Sequence, residues 1–159
     1  MKSEQELKGL GGWLILVGLG LLLSPVRLSI EMISMYQGFI SEGAWGLLTT
    51  PTSPVYHPSW AFFIVGEAIV NVAIVFFSVY LIYLFFLKKM IFPRYYCGFL
   101  LFIVIFLFID ALLIQIMLPD EPLFDEERGR DFFRSVLACL IWIPYMRVSK
   151  RVKLTFVEK

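Results

Sequence analysis

The sequence has little of what soluble chemistry is made from. Its 159 residues include one histidine, His57, and two cysteines, Cys97 and Cys139. A lone histidine forms neither a dyad nor a metal site, and His57 reads as a loop residue. Both cysteines fall inside or at the edge of apolar runs. That excludes a disulfide framework and makes them small apolar fillers. There is no G-x-S-x-G, no H-E-x-x-H and no glycine-rich phosphate loop. With no evident nucleophile either, the chain is expected not to be an enzyme, to hold no metal and to need no cofactor. No internal repeat is present, which argues against an inverted-repeat transporter. Charged residues make up only 17% of the chain.

Apolar residues are abundant. They account for 59% of the chain, 16 of them phenylalanine, and the mean hydropathy is +0.80. A soluble domain averages roughly 45–50% apolar residues, so a membrane is the simpler solvent for this excess. Crossing a hydrocarbon core of about 30 Å takes roughly 20 helical residues. Four runs qualify or nearly so: about 10–30, 60–87, 95–117 and 132–148. None alternates with period two, which excludes barrel strands. A lipid-embedded backbone must bond to itself, so the expected fold is all-α. We expect a single domain, 1–159, forming an integral membrane four-helix bundle.

The first run has a charged start but no small-x-small cleavage site, and it reads as an uncleaved signal anchor. Its opening, GLGGWLILVGLG, is rich in glycine, which lets membrane helices approach closely and could support a homo-oligomer or a membrane-protein partner. Pro25 should kink it. Residues 32–48, MISMYQGFISEGAWGLL, are amphipathic enough for an interfacial helix in the first extracytoplasmic loop.

Basic residues divide by segment. Lys2 and Lys8, then Lys88, Lys89 and Arg94, then Arg147, Lys150, Arg151, Lys153 and Lys159 share one side of a four-span chain, and they make up ten of its 14 Lys and Arg. Lys and Arg accumulate on the cytoplasmic side, so both termini are predicted to be cytoplasmic. The acidic stretch 119–131, PDEPLFDEERGRD, then lies outside. The basic segments should draw anionic lipid at roughly 1 kcal/mol per nearby cation. A flanking run such as KRVK is explained that way, without nucleic acid.

Polar residues inside the runs are the candidate site. Glu67 and Asn71 are spaced i, i+4 and share a helix face, which Ser78 extends. Arg27 and Glu31 repeat that spacing in the first run, Asp110 lies in the third and Arg134 in the fourth. Glu67 and Asp110 each fall roughly 10 Å below the outer surface at 1.5 Å per residue. An ion at mid-bilayer costs about 2.5–3.5 kcal/mol on insertion scales. The expectation is an outer-half cluster in which Glu67 and Asp110 are neutralised by Arg27 and Arg134. Three uses are open: fixing helix register, binding a small polar ligand or lipid headgroup, or passing a proton or ion. The first is preferred, because nothing ionisable continues the cluster toward the cytoplasm.

Several motifs carry a resemblance. GLGGWLILVGLGLLLSPVRL opens the chain, and YHPSW and GEAIVN frame the second run. FFLKKMIFPR, the Asp of FID and the ending IWIPYMRVSKRVKLTF follow in order. Over nearly its whole length the chain resembles the bacterial inner-membrane family known as domain of unknown function 2569 and is similar to the YdgK-like proteins. The resemblance implies a four-span protein of the cytoplasmic membrane. It implies no activity and no site residues.

Overall fold

The computed structural model describes residues 8–158 and contains six helices and no strand among them. They are α1 (Trp13–Ser41), α2 (Ala44–Thr49), α3 (Trp60–Phe86), α4 (Phe92–Met117), α5 (Glu126–Val148) and α6 (Lys150–Thr155). Three of them, α1, α3 and α4, are long and apolar enough to cross a membrane. At 23 residues α5 is also long, but Asp131, Arg134 and Arg147 interrupt its apolar stretch. The chain divides into two compact units: its start up to Gly18 together with the part from Tyr83 onward, and Leu19–Ile82.

Helix boundaries follow local chemistry. Gly9 and Gly12 take left-handed φ angles of 108° and 59°, a conformation that suits glycine, so α1 begins at Trp13 and not near residue 10. It then runs 29 residues with Pro25 inside it. Serine hydroxyls on either side bond back to the helix, Ser24 Oγ to the Gly20 carbonyl at 2.6 Å and Ser29 Oγ to the Pro25 carbonyl at 2.7 Å. The carbonyl that Pro25 leaves without its i+4 donor is that of Leu21, so these bonds accompany the proline and do not replace the missing one. Residues 32–41 continue α1 and do not form a helix of their own. Nothing in LSIEMISMYQ interrupts the backbone ladder. The helix gives way where Gly43 turns left-handed at φ 70°, and the short α2 follows. Helix α4 begins at Phe92, with Pro93 in its first turn, where the missing N–H costs nothing. Helix α5 starts six residues before the expected 132. Asp125 caps it, accepting from the Glu127 and Arg128 amides at 3.0 and 2.8 Å.

In α3 the buried positions form one seam. Trp60, Ile64, Asn71, Ile74, Ser78, Leu81 and Phe85 are buried, and half-buried Glu67 completes the four-three alternation. That spacing averages 3.5 residues, the period of helices packed along a common stripe. Phe62, Ile69 and Phe76 on the other faces are exposed, as lipid contact requires.

The first unit is built on an aromatic core. Phe92 is fully buried, and its ring centroid lies 5.2 Å from Phe85, 4.6 Å from Phe156 and 5.5 Å from Tyr96. Each such pair adds about 0.5–1.5 kcal/mol beyond area burial. Gly18 approaches Phe85 so closely that a Cβ there would lie 2.9 Å from the ring. The C-terminal segment is folded, not a loose tail. Thr155 exchanges hydrogen bonds with the Gly9 N–H and C=O at 3.1 and 3.2 Å. Arg151 covers Gly11 and Gly12. The Met90 N–H donates to the Glu158 carbonyl at 2.8 Å, and the Glu158 N–H donates to that of Lys88 at 3.2 Å. Trp13 meets Trp142 edge to face at 6.1 Å. Helices α4 and α5 pack against each other and are antiparallel: Phe108 contacts Phe132 near one end, while Cys97 and Met146 line one groove near the other.

Candidate functional site

The seam of α3 carries the buried polar residues Asn71 and Ser78 of the second unit. Asn71 is 9% and Ser78 3% exposed. Asn71 Nδ2 donates to Glu67 Oε1 at 3.5 Å, and Ser78 Oγ donates to the Ile74 carbonyl at 2.8 Å. On α1, Arg27 Nε donates to Glu31 Oε1 at 2.6 Å, with both side chains about half exposed. Tyr36 lies within electrostatic reach of Glu67. Its hydroxyl is buried without a hydrogen-bond partner. Sequence reading missed this tyrosine because it ended the first span near residue 30. Continuing the helix to Gly43 would have included it.

In the first unit Asp110 is half-buried on α4. The cation whose charge reaches it is Arg128. Arg134 instead bonds Asp131, one turn earlier on α5, at 3.4 Å. Arg128 Nε donates to Asp125 Oδ2 at 2.6 Å, while its Nη1 is buried without a partner. Arg128 escaped sequence analysis because 119–131 read as a loop. Asp125 followed by Glu126 and Glu127 was the available signal, an N-cap residue with acids in the first turn. These hydrogen bonds and the Arg128 charge hold the Asp125 carboxyl below the usual carboxylate range. The bonds from the backbone and guanidinium favour its charged form.

Both units thus contain carboxylates beside cations or amides of their own helices: Arg27 with Glu31, Asn71 with Glu67, and Arg128 with Asp125. Such pairs offset the cost of holding charge near hydrocarbon. Among the described residues no three His, Cys, Asp or Glu side chains converge as metal ligands would.

Three membrane-length apolar helices and a polar seam along one of them define a helical integral membrane protein. A family model described as a protein of unknown function, DUF2569, matches residues 7–157. The chain belongs to that family. No curated protein and no solved structure matches it.

Proposed function

We propose that the chain is a four-span bundle of the bacterial inner membrane with both termini cytoplasmic, acting as a non-enzymatic accessory or assembly protein. The observation that carries this reading is the joining of the basic segments in the first unit. The Gly9–Thr155 bonds and the Met90–Glu158 pairing gather the N-terminal segment, the α3–α4 turn and the C-terminal helix. Helices α1 and α4 start there, and α3 and α5 end there. That arrangement favours an even number of crossings, with α5 as the fourth. Arg134, within about two and a half turns of the α5 start, can reach the interface with its long side chain. The excess of Lys and Arg then favours the cytoplasm for the gathered end.

The accessory role draws on the local pairing of the charges. A guanidinium already bonded to a carboxylate one turn away needs no ligand to be tolerated. In this reading Arg27, Glu31, Glu67, Asn71, Asp110 and Arg134 are structural: pairing within one helix makes charge tolerable, and Glu67 and Asp110, which Tyr36 and Arg128 of other helices reach, fix helix register. The partners are the bilayer, anionic lipid at the basic segments, and a second copy or another membrane protein. One observation favours a second reading, binding or transport of a small polar molecule, lipid headgroup or ion. The Tyr36 hydroxyl and Arg128 Nη1 are buried donors without acceptors, and such groups normally find a partner.

Reporter fusions test the topology. A fusion after Lys159 should report cytoplasm and one within 119–131 the opposite side, and reversed signals overturn the orientation. Glu67→Gln combined with Asp110→Asn tests the role. Loss of membrane abundance, matched by replacement of Arg27 or Arg134, supports the register reading. Normal insertion with a lost phenotype supports the binding reading instead.

A further inference from the structure

The open groove lined by α4, α5, α6 and the residues flanking them has a volume of about 780 Å³, within the range of roughly 300–1,000 Å³ typical of ligand sites. Three cations line it: Arg94, Arg147 and Lys153. No acidic side chain is among its lining residues. Among the described residues none of the three cations makes an ion pair, whereas Arg27, Arg128 and Arg134 each bond a carboxylate. The rest of the lining is apolar and includes Gly98, Leu101 and Phe156.

The order of these groups along the helices is informative. Arg94 lies in the first turn of α4 and Arg147 in the last turn of α5, so the cations sit at helix ends. Leu101 is seven residues further along α4, roughly 10 Å deeper at 1.5 Å per residue. A charged rim leading to an apolar interior over that distance matches an amphiphile entering from the bilayer. A soluble anion would use the rim and leave the apolar wall empty. Guanidinium groups bind phosphate oxygens through paired hydrogen bonds, and a lysine adds a point charge. Gly98 faces open space, with nothing within 4 Å of where its Cβ would stand.

We propose that this groove binds one anionic phospholipid, its phosphate held by Arg94, Arg147 and Lys153 and an acyl chain lying along Gly98 and Leu101. The site shares no lining residue with the α3 seam, and it rests on the reading above that anionic lipid attends the basic segments.

The test uses the full chain in neutral detergent, titrated with cardiolipin, phosphatidylglycerol, phosphatidylcholine or inorganic phosphate and followed by native mass spectrometry. A one-to-one adduct is expected with the anionic lipids, and far weaker binding with phosphatidylcholine. Each cation near an anionic group is worth roughly five-fold in affinity, so Arg94→Gln with Arg147→Gln should weaken binding about 30-fold. Lys88→Gln with Lys150→Gln removes the same charge outside the groove and should change affinity less than about three-fold. Gly98→Leu fills the groove without touching a charge and should also weaken lipid binding, which keeps the test decisive if the arginine variant fails to fold. Equal losses from the two charge pairs would reduce the effect to diffuse attraction and overturn the proposal. So would phosphatidylcholine binding as tightly, unchanged binding in Gly98→Leu, or displacement of the lipid by inorganic phosphate at similar concentration. Normal membrane insertion alongside any of these results leaves the proposed topology standing.

Discussion

Substituting Gly18 by alanine adds one methyl group to α1, and the structure specifies where it goes. The new Cβ would lie 2.9 Å from Phe85 Cε1 and 3.2 Å from Cζ. Real Cβ contacts are almost never that short, so either the ring or the helix must move. Phe85 has little freedom to yield. It is 2% exposed, and its centroid is 5.2 Å from Phe92, 5.4 Å from Phe86 and 5.8 Å from Phe156. Overpacking a filled core costs about 1–3 kcal/mol. Alanine's better helix propensity returns about 1 kcal/mol at most, so a net loss is expected. Gly20 is the matched control, because nothing lies within 4 Å of its Cβ position. Gly20→Ala should be neutral or slightly stabilising. Thermal unfolding of the purified protein in detergent reads both, with Gly18→Ala lowering Tm by several degrees. Shrinking the ring in Gly18→Ala/Phe85→Leu should give a total smaller than the sum of the single losses, because the two sites share one space. If Gly18→Ala and Gly20→Ala behave alike, the close approach of α1 to Phe85 is wrong.

The C-terminal segment and the α5 cap give further expectations. Thr155, 2% exposed, holds both backbone groups of Gly9. Thr155→Val keeps the shape and removes both bonds, and it should destabilise by about 1–3 kcal/mol, measured as a drop in Tm that Thr155→Ser largely avoids. Asp125→Ala removes the α5 cap and should cost about 1 kcal/mol, whereas Asp125→Asn, which still caps, should cost less. The folded-state pKa of Asp125 is depressed, so the unfolded chain binds its proton more readily. Its contribution is present above the ordinary carboxylate value near pH 4 and is lost as pH falls through the lower folded value. Wild type should therefore lose part of its stability advantage over Asp125→Asn below about pH 4. A constant difference across that range would separate the cap from the titration.

The apolar runs made the long helices legible in the sequence, and α3 runs close to the expected 60–87 because both of its ends are marked by polar or aromatic residues. The ends of α1 were harder to read. Amphipathic character in 32–48 suggested a change of direction, yet backbone continuity decided otherwise, and the stop lay at a glycine able to turn left-handed. The early start of α5 was hidden by charge: EERGRD reads as a loop by hydropathy and as a capped first turn by its Asp125. The seam of Glu67, Asn71 and Ser78 could be read from spacing alone. Which guanidinium attends which carboxylate could not, because local pairing depends on rotamers and helix starts. The largest omission was α6. A six-residue basic helix has no apolar run to announce it, and its burial depends on Gly9, Met90 and Phe92, residues distant in sequence.

The pairing of the charges bears on where ligand chemistry should be sought. A carboxylate and a guanidinium one turn apart neutralise each other wherever the helix goes, and exposed pairs of this type contribute only about 0–1 kcal/mol to stability. Arg27–Glu31 and Arg134–Asp131 are of this kind. Their presence is explained by tolerance in the membrane, so they are weak signs of a binding site. Arg94, Arg147 and Lys153 differ in having no ion-pair partner among the described residues while lining one groove. Insertion accounts for their lying at one end of the helices but not for their lining one groove, where like charges repel. The folded C-terminal segment supplies part of it, because Lys153 joins the groove through α6, which Thr155 and Phe156 hold in place. Thr155→Val should therefore weaken anionic lipid binding at a temperature where the chain remains folded, although it removes no charge and lines no part of the groove. Unchanged lipid affinity in that variant would mean that Lys153 contributes to the groove independently of the α6 anchor.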